Sequence, residues 1–242
     1  MCAAYYRYSS SYSQPTKAEL MAKGKKYIEA QRKKGVLMEP VHIEGRTIAR
    51  SWWGKNWCDN LERYSSLYNR LERGRRYILS DTVLDLKITD GTCKAVVQGS
   101  RKTPYKVEVT IDPLDGKKAE AISKQCGKKL ENVEDLLKGK FPDAMKDIFY
   151  QKDGLFPSNR QIHFACSCPD SAYLCKHVAA VLYGIGARFD QDPLLFFTLR
   201  GIDTNAFIDE TLANKVECLL KNADQKSDRI LDEGDDLSLF GL

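Results

Sequence analysis

Four side chains in the stretch CSCPDSAYLCKH could do chemistry: Cys166 and Cys168, then Cys175 and His177. Zinc takes four tetrahedral nitrogen or sulfur donors, with thiolate at about 2.3 Å and imidazole at about 2.0 Å. Cys166 and Cys168 are one residue apart, so on an extended strand both side chains project to one face as a two-pronged clamp. Pro169 then stops the strand. Cys175 and His177 have the same spacing, directly before an apolar helical run, and the six residues between the pairs are enough to reverse the chain. Three thiolates and one imidazole would fill the coordination sphere, leaving no position for water or substrate, so a structural ion is expected.

Three other chemistries compete for these residues. A disulfide between Cys166 and Cys168 would close a very small, strained ring, and a reducing compartment opposes it. A cysteine nucleophile with His177 as its base would need a third, orienting group that the sequence does not display. An iron–sulfur ligand set would use the same residue types. His163, three residues upstream, is a spare ligand or a surface histidine, and the surface reading is preferred.

The elements that must position this cluster can be read on either side of it. PTKAELMAKGKKYIEAQRKKG, from Pro15, has helix start signals, a strongly basic body and Gly35 as a stop. Trp53, Trp57, Leu61 and Tyr64 recur at helical spacing and predict one apolar face, more suited to a core than to a ligand platform. A second short helix is expected from about Ser66 to Arg73. From Thr82 to Ile111 the runs TVLDLKI, CKAVVQG and YKVEVTI are β-branched and alternate, separated by turn residues, and predict a three-stranded antiparallel meander. Helices are expected in GKKAEAISKQCGKKL, NVEDLLKG and PDAMKDIFYQ. A short strand then leads into the cysteines, and three helices follow them: HVAAVLYGIGARFD, DPLLFFTLRG and DTNAFIDETLANKVECLLKNA. The fold class expected is therefore α+β, a small antiparallel meander with flanking helices plus a zinc-pinned strand-turn-helix. Its order would be a flexible tail (1–14), a basic helix and linker (15–48), an α+β domain (49–155), the finger with its following helices (156–203) and a C-terminal helix with an acidic tail (204–242).

Composition bounds the function classes. The chain has 242 residues, 43% hydrophobic and 29% charged, enough for a hydrophobic core without disulfides. The N-terminus lacks a secretory apolar run, and no stretch approaches the roughly 18 apolar residues of a membrane helix. A cytoplasmic protein is expected, whose remaining cysteines, Cys2, Cys58, Cys93, Cys126 and Cys218, are small buried or incidental residues. The net charge of +5 is unevenly spread, with Lys and Arg in excess before residue 110 and acids in excess after it. The basic half would meet an acidic partner such as nucleic acid. Candidate phosphate contacts are Arg73, Arg75 and Arg76, the turn cations Arg101, Lys102 and Lys106, and Lys176 beside the finger.

The pattern C-x-C-x6-C-x-H, with CSCPD and CKHVAAVLY, resembles the SWIM zinc finger. SWWGKNWCDNLE, RLERGRRYILSDTVLDL, AVVQGSRKTPYKVEV and DPLLFFTLRGID resemble, in the same order, the free-standing SWIM finger proteins of bacteria and archaea, from Ala49 to Asp203. Members of that family are often encoded near helicase-like ATPases of the Swi/Snf group. The resemblance implies a DNA-associated accessory factor with such an ATPase as partner.

Three function classes follow. The first is a non-enzymatic, zinc-stabilised module that binds nucleic acid, DNA in preference, without sequence specificity and with strong salt dependence. The second is a protein-protein adaptor that docks through the finger and the apolar DPLLFFTLRG segment. An enzyme is the third, disfavoured by the lack of a phosphate-cradling Gly-rich loop, an HExxH pair or a spaced carboxylate cluster; an unrecognised nuclease stays within it. Neither a membrane nor a small-molecule substrate is expected.

Overall fold

A computed structural model describes residues 15–63, 68–129, 141–151 and 154–223. The N-terminal tail, Cys2, Tyr64, the expected NVEDLLKG helix and the acidic tail from Asp224 lie outside the described residues. Helix α1, Lys17–Lys33, opens on a capping box in which the Thr16 hydroxyl accepts from the Glu19 N–H and the Glu19 carboxylate accepts from the Thr16 N–H. It ends at Gly35, whose φ of 76° is the left-handed conformation that glycine adopts without steric cost. α1 is seated on its own chain. Leu20 and Gly24 are buried, and a Cβ on Gly24 would lie 2.7 Å from Leu84 Cδ2.

α2, Trp52–Glu62, is capped by Ser51, and the expected apolar face is its buried face: Trp53, Trp57 and Leu61. α3, Tyr68–Ile78, runs beyond the end at Arg73 that its sequence suggested. The meander follows as β1 (Val83–Thr89), β2 (Thr92–Val97) and β3 (Tyr105–Ile111). In β3 the alternation is strict, Tyr105, Val107, Val109 and Ile111 buried against Lys106, Glu108 and Thr110 exposed.

A helical excursion, α4 (Gly116–Lys129) and α5 (Lys146–Tyr150), separates β3 from β4 (Ile162–Cys166). β4 pairs antiparallel with β3, so the sheet has four strands in the order β1-β2-β3-β4. The strand expected before the cysteines is thus the continuation of the meander. At the other edge Val41 donates to the Val83 carbonyl and Leu86 donates to that of Glu39, covering β1.

α6, Lys176–Gln191, is the centre of the molecule. It is buried from His177 to Ala187 and again at Phe189, packed between the inner face of the sheet and helices α2 and α3. The indole N–H groups of Trp57 and Trp53 donate to the carbonyls of Leu182 and Phe189, each at 2.8 Å, satisfying polar groups that burial would otherwise strand. α7, Leu195–Leu199, stacks Phe196 on Phe189 with centroids 3.7 Å apart. Phe196, Phe197 and Leu199 of the DPLLFFTLRG segment are buried, while Leu194, Leu195 and Thr198 stay half-buried. α8, Thr204–Ala223, buries Phe207 and Thr211, then carries Leu212, Val216, Leu219 and Leu220 exposed. Among the described residues no helix is long and apolar enough to cross a membrane. The architecture is α+β.

Candidate metal centre

The pairing of β4 with β3 puts Cys166 opposite Val107, on the sheet face that meets α6. Cys168 follows two residues on, where the chain bends away from the strand. The backbone of the intervening Ser167 is held at β3: its N–H donates to the Lys106 carbonyl and its hydroxyl accepts from the Lys106 N–H. The chain then reverses through an Asx turn, in which Asp170 accepts from the Ala172 N–H, and buries Leu174. Cys175 is the N-cap of α6 and His177 lies in its first turn. One ligand pair is carried by the sheet and the other by the central helix.

The four ligand atoms lie within 4.8 Å of one another, and Cys175 Sγ is 3.8 Å from His177 Nδ1. A tetrahedron with bonds of about 2.3 Å has edges of about 3.8 Å, so the cluster has the size a zinc centre needs. His177 is 4% exposed and packed between two rings, Tyr105 at 4.5 Å and Tyr77 at 5.5 Å between centroids. Its Nε2 is buried without a hydrogen-bond partner, so packing sets the ring plane. Gly99 is part of that packing: a Cβ there would fall 2.3 Å from the Tyr105 ring and 2.9 Å from His177 Nε2.

Left to its own side chains, the cluster cannot ionise all three thiols. Hydrogen bonding from Cys166, then from His177, holds the Cys175 thiol down at about 4. Donating that bond, and then burial, pushes Cys166 up, and burial pushes Cys168 up. One sulfur carries the charge, and hydrogen bonding and burial keep its neighbours protonated. A divalent cation removes the conflict by compensating several thiolates at once. The donor set therefore fits zinc, and four protein ligands leave it no open position.

The SWIM zinc-finger family model matches residues 165–184, from the residue before Cys166 into the middle of α6. Residues 165–184 are a SWIM zinc finger, and zinc is the metal it binds. Over 157 residues the chain is also 37% identical to an uncharacterized protein of Mycobacterium tuberculosis, a match covering 64% of this chain and 56% of that protein. The chain thus spans little more than half the length of that relative. No solved structure matches it. His163 is a surface residue, hydrogen-bonded to Asp112 at 2.9 Å, and is not part of the SWIM cluster.

Beside the finger, side chains distant in sequence line one cleft of about 440 Å³: Lys17 of α1, Arg73, Arg76 and Tyr77 of α3, Ser80, and Lys176 of α6. The Lys176 ammonium stands 4.7 Å from the centroid of the Tyr77 ring, a cation-π contact. Arg76 also pairs with Glu72 at 3.4 Å. Three of the seven cations selected from sequence meet here. Arg75 does not line the cleft, because two residues along a helix turn a side chain by about 200°. It pairs instead with Glu62, whose carboxylate also accepts from the Tyr183 hydroxyl. Arg101 and Lys102 are exposed in the β2–β3 connection, which is tied to α1 by the Lys23 ammonium donating to the Ser100 carbonyl. Lys106 belongs to β3 and faces outward with Lys87 and Lys94, on the sheet face opposite α6. The cation that sequence reasoning left out is Lys17. Its signal was the basic helix itself, whose docking against α3 no local pattern reveals.

Proposed function

We propose that this chain is a non-enzymatic, zinc-stabilised nucleic-acid-binding module, with DNA as its preferred target, acting in the cytoplasm beside a helicase-like ATPase of the Swi/Snf group. The observation that carries this reading is the convergence of Lys17, Arg73, Arg76 and Lys176 on one cleft next to the finger. Such a cluster is repulsive by itself and is relieved by phosphates, whose bound counterions are released when the contact forms. The zinc in this reading is structural: the ligands hold a sheet end to a helix start and leave no position for water to be activated. The test is fluorescence anisotropy with labelled duplex and single-stranded DNA and RNA over a salt series. Three or four phosphate contacts give a slope of log affinity on log salt of about −3. The paired substitution Arg73→Ala with Arg76→Ala should flatten that slope by about two. Absence of binding to every probe at low salt ends the reading.

A second reading, an adaptor that docks a protein partner, is favoured by the exposed row Leu212, Val216, Leu219 and Leu220 on α8. Capture of the ATPase by the Arg73→Ala, Arg76→Ala protein, and its loss on Val216→Glu with Leu219→Glu, would select it over the first.

A further inference from the structure

The SWIM finger holds the wall of the cleft at its own ligands. Lys176 lies between the ligands Cys175 and His177, and its ammonium rests over Tyr77 of α3. Asp170, two residues beyond Cys168, is 3.4 Å from the guanidinium of Arg70, also on α3. Between these ties α3 is pressed directly on α6, where a Cβ on Gly74 would lie 2.3 Å from that of Ala179. The finger's turn and its helix start thus grip both ends of the helix that carries Arg73 and Arg76.

We propose that the cleft is a phosphate-backbone site completed by the metal: zinc on Cys166, Cys168, Cys175 and His177 sets Lys176 and the Asp170–Arg70 pair, so that finger loading and nucleic-acid affinity are thermodynamically linked. This inference rests on the nucleic-acid reading above and adds its regulation. Lys176 has little freedom of its own when both neighbours are metal ligands. Its backbone is fixed at the coordination sphere, and its side chain has only to span from there to Tyr77. Ser167 stays hydrogen-bonded to Lys106 without the metal, but release of the metal unties the segment 168–177 from the end of the sheet, and with it one cation of the cleft and one brace of α3. A bound backbone that draws Lys176 into the cleft holds the ligand pair around it in the metal-binding arrangement. Coupling of this kind is reciprocal, so nucleic acid must raise zinc affinity by the factor that zinc raises nucleic-acid affinity.

The test uses the full chain, with zinc affinity measured by competition against a chelator, with and without a saturating 20-base-pair DNA duplex and, in a second arm, single-stranded RNA. Zinc affinity should rise about tenfold in the presence of the polymer that binds, the order of one phosphate contact. Lys176→Gln should keep one zinc per chain, bind the polymer about tenfold more weakly and lose most of that rise; Asp170→Asn should lose part of it. Because the chelated protein can unfold, the same proteins are also loaded with cobalt(II), whose visible bands report the tetrahedral centre in the folded state. Saturating duplex should shift those bands in the native sequence and leave them unmoved in Lys176→Gln. Equal zinc affinity with and without a polymer that demonstrably binds, or a Lys176→Gln protein that binds as tightly as the parent, overturns the linkage and leaves the nucleic-acid reading standing. No binding to the zinc-loaded parent overturns that reading itself.

Discussion

Burial and charge separate two kinds of cysteine in this chain. Cys166, Cys168 and Cys175 share one small volume, where one thiolate is favoured and more require a cation. Cys58, Cys93 and Cys126 are buried singly. Burial first, with the carboxylates of Glu62 and Asp59 adding to it, pushes Cys58 up to about 12. Burial likewise pushes Cys126 up to about 12 and raises Cys93. The nucleophile in alkylation is the thiolate, so groups titrating that far above the assay pH are inert. Iodoacetamide at pH 8 on the folded, zinc-loaded protein should therefore modify the exposed Cys218 and leave Cys58, Cys93 and Cys126 untouched, as peptide mass spectrometry would show. Labelling of Cys93 before global unfolding would contradict the packing described.

At the scale of elements, the decisive contact is α3 against α6. Gly74 permits it by having no Cβ: the nearest atoms to one built there are Ala179 Cβ at 2.3 Å and the Ala179 carbonyl carbon at 2.7 Å. A neighbouring backbone does not rotate away as a side-chain tip does, so Gly74→Ala has to lift α3 off α6. Alanine gains about 1 kcal/mol in helix propensity. Overpacking costs about 1–3 kcal/mol and, against backbone, should prevail. Urea denaturation is expected to show a net loss of stability, with one zinc per chain retained. A variant more stable than the parent would show that the two helices are less tightly engaged. The same scale explains why the finger is firmly placed: its first ligand ends a strand hydrogen-bonded to β3 and its last begins the buried central helix.

For the whole molecule, zinc is tied to the core through α6. Trp57 donates to Leu182 and Trp53 to Phe189, so both indoles report where that helix lies. Chelation, or Cys175→Ser, is expected to shift tryptophan emission to the red together with the loss of far-UV helical signal, in one transition, because metal binding here is coupled to folding. The change in thermal midpoint on restoring zinc measures the coupling. Loss of zinc with unchanged tryptophan emission would mean that the finger folds apart from the core.

The metal centre was legible in the sequence because its ligands are local. Cys166 and Cys168, then Cys175 and His177, are two pairs at fixed spacing, and the strand before them and the helix after them follow from alternation and from an apolar helical run. The meander and the buried face of α2 were legible for the same reason, since periodicities of two and of about 3.6 are properties of adjacent residues. Tertiary structure alone decided the rest. That β4 continues the meander depends on pairing across the α4 and α5 excursion. That Phe196 and Phe197 are core depends on Phe189 and Trp57 packing on the first and Phe141 and Phe207 on the second, which their apolar character by itself leaves undetermined. Which cations act together was likewise beyond local pattern: Arg73 and Arg76 meet Lys17 and Lys176, while Arg75, two residues along the same helix, turns to Glu62 and Lys106 faces away on the outer sheet surface. Charge acts through space, and only the packing of α1, α3 and α6 sets the distances across which these side chains meet.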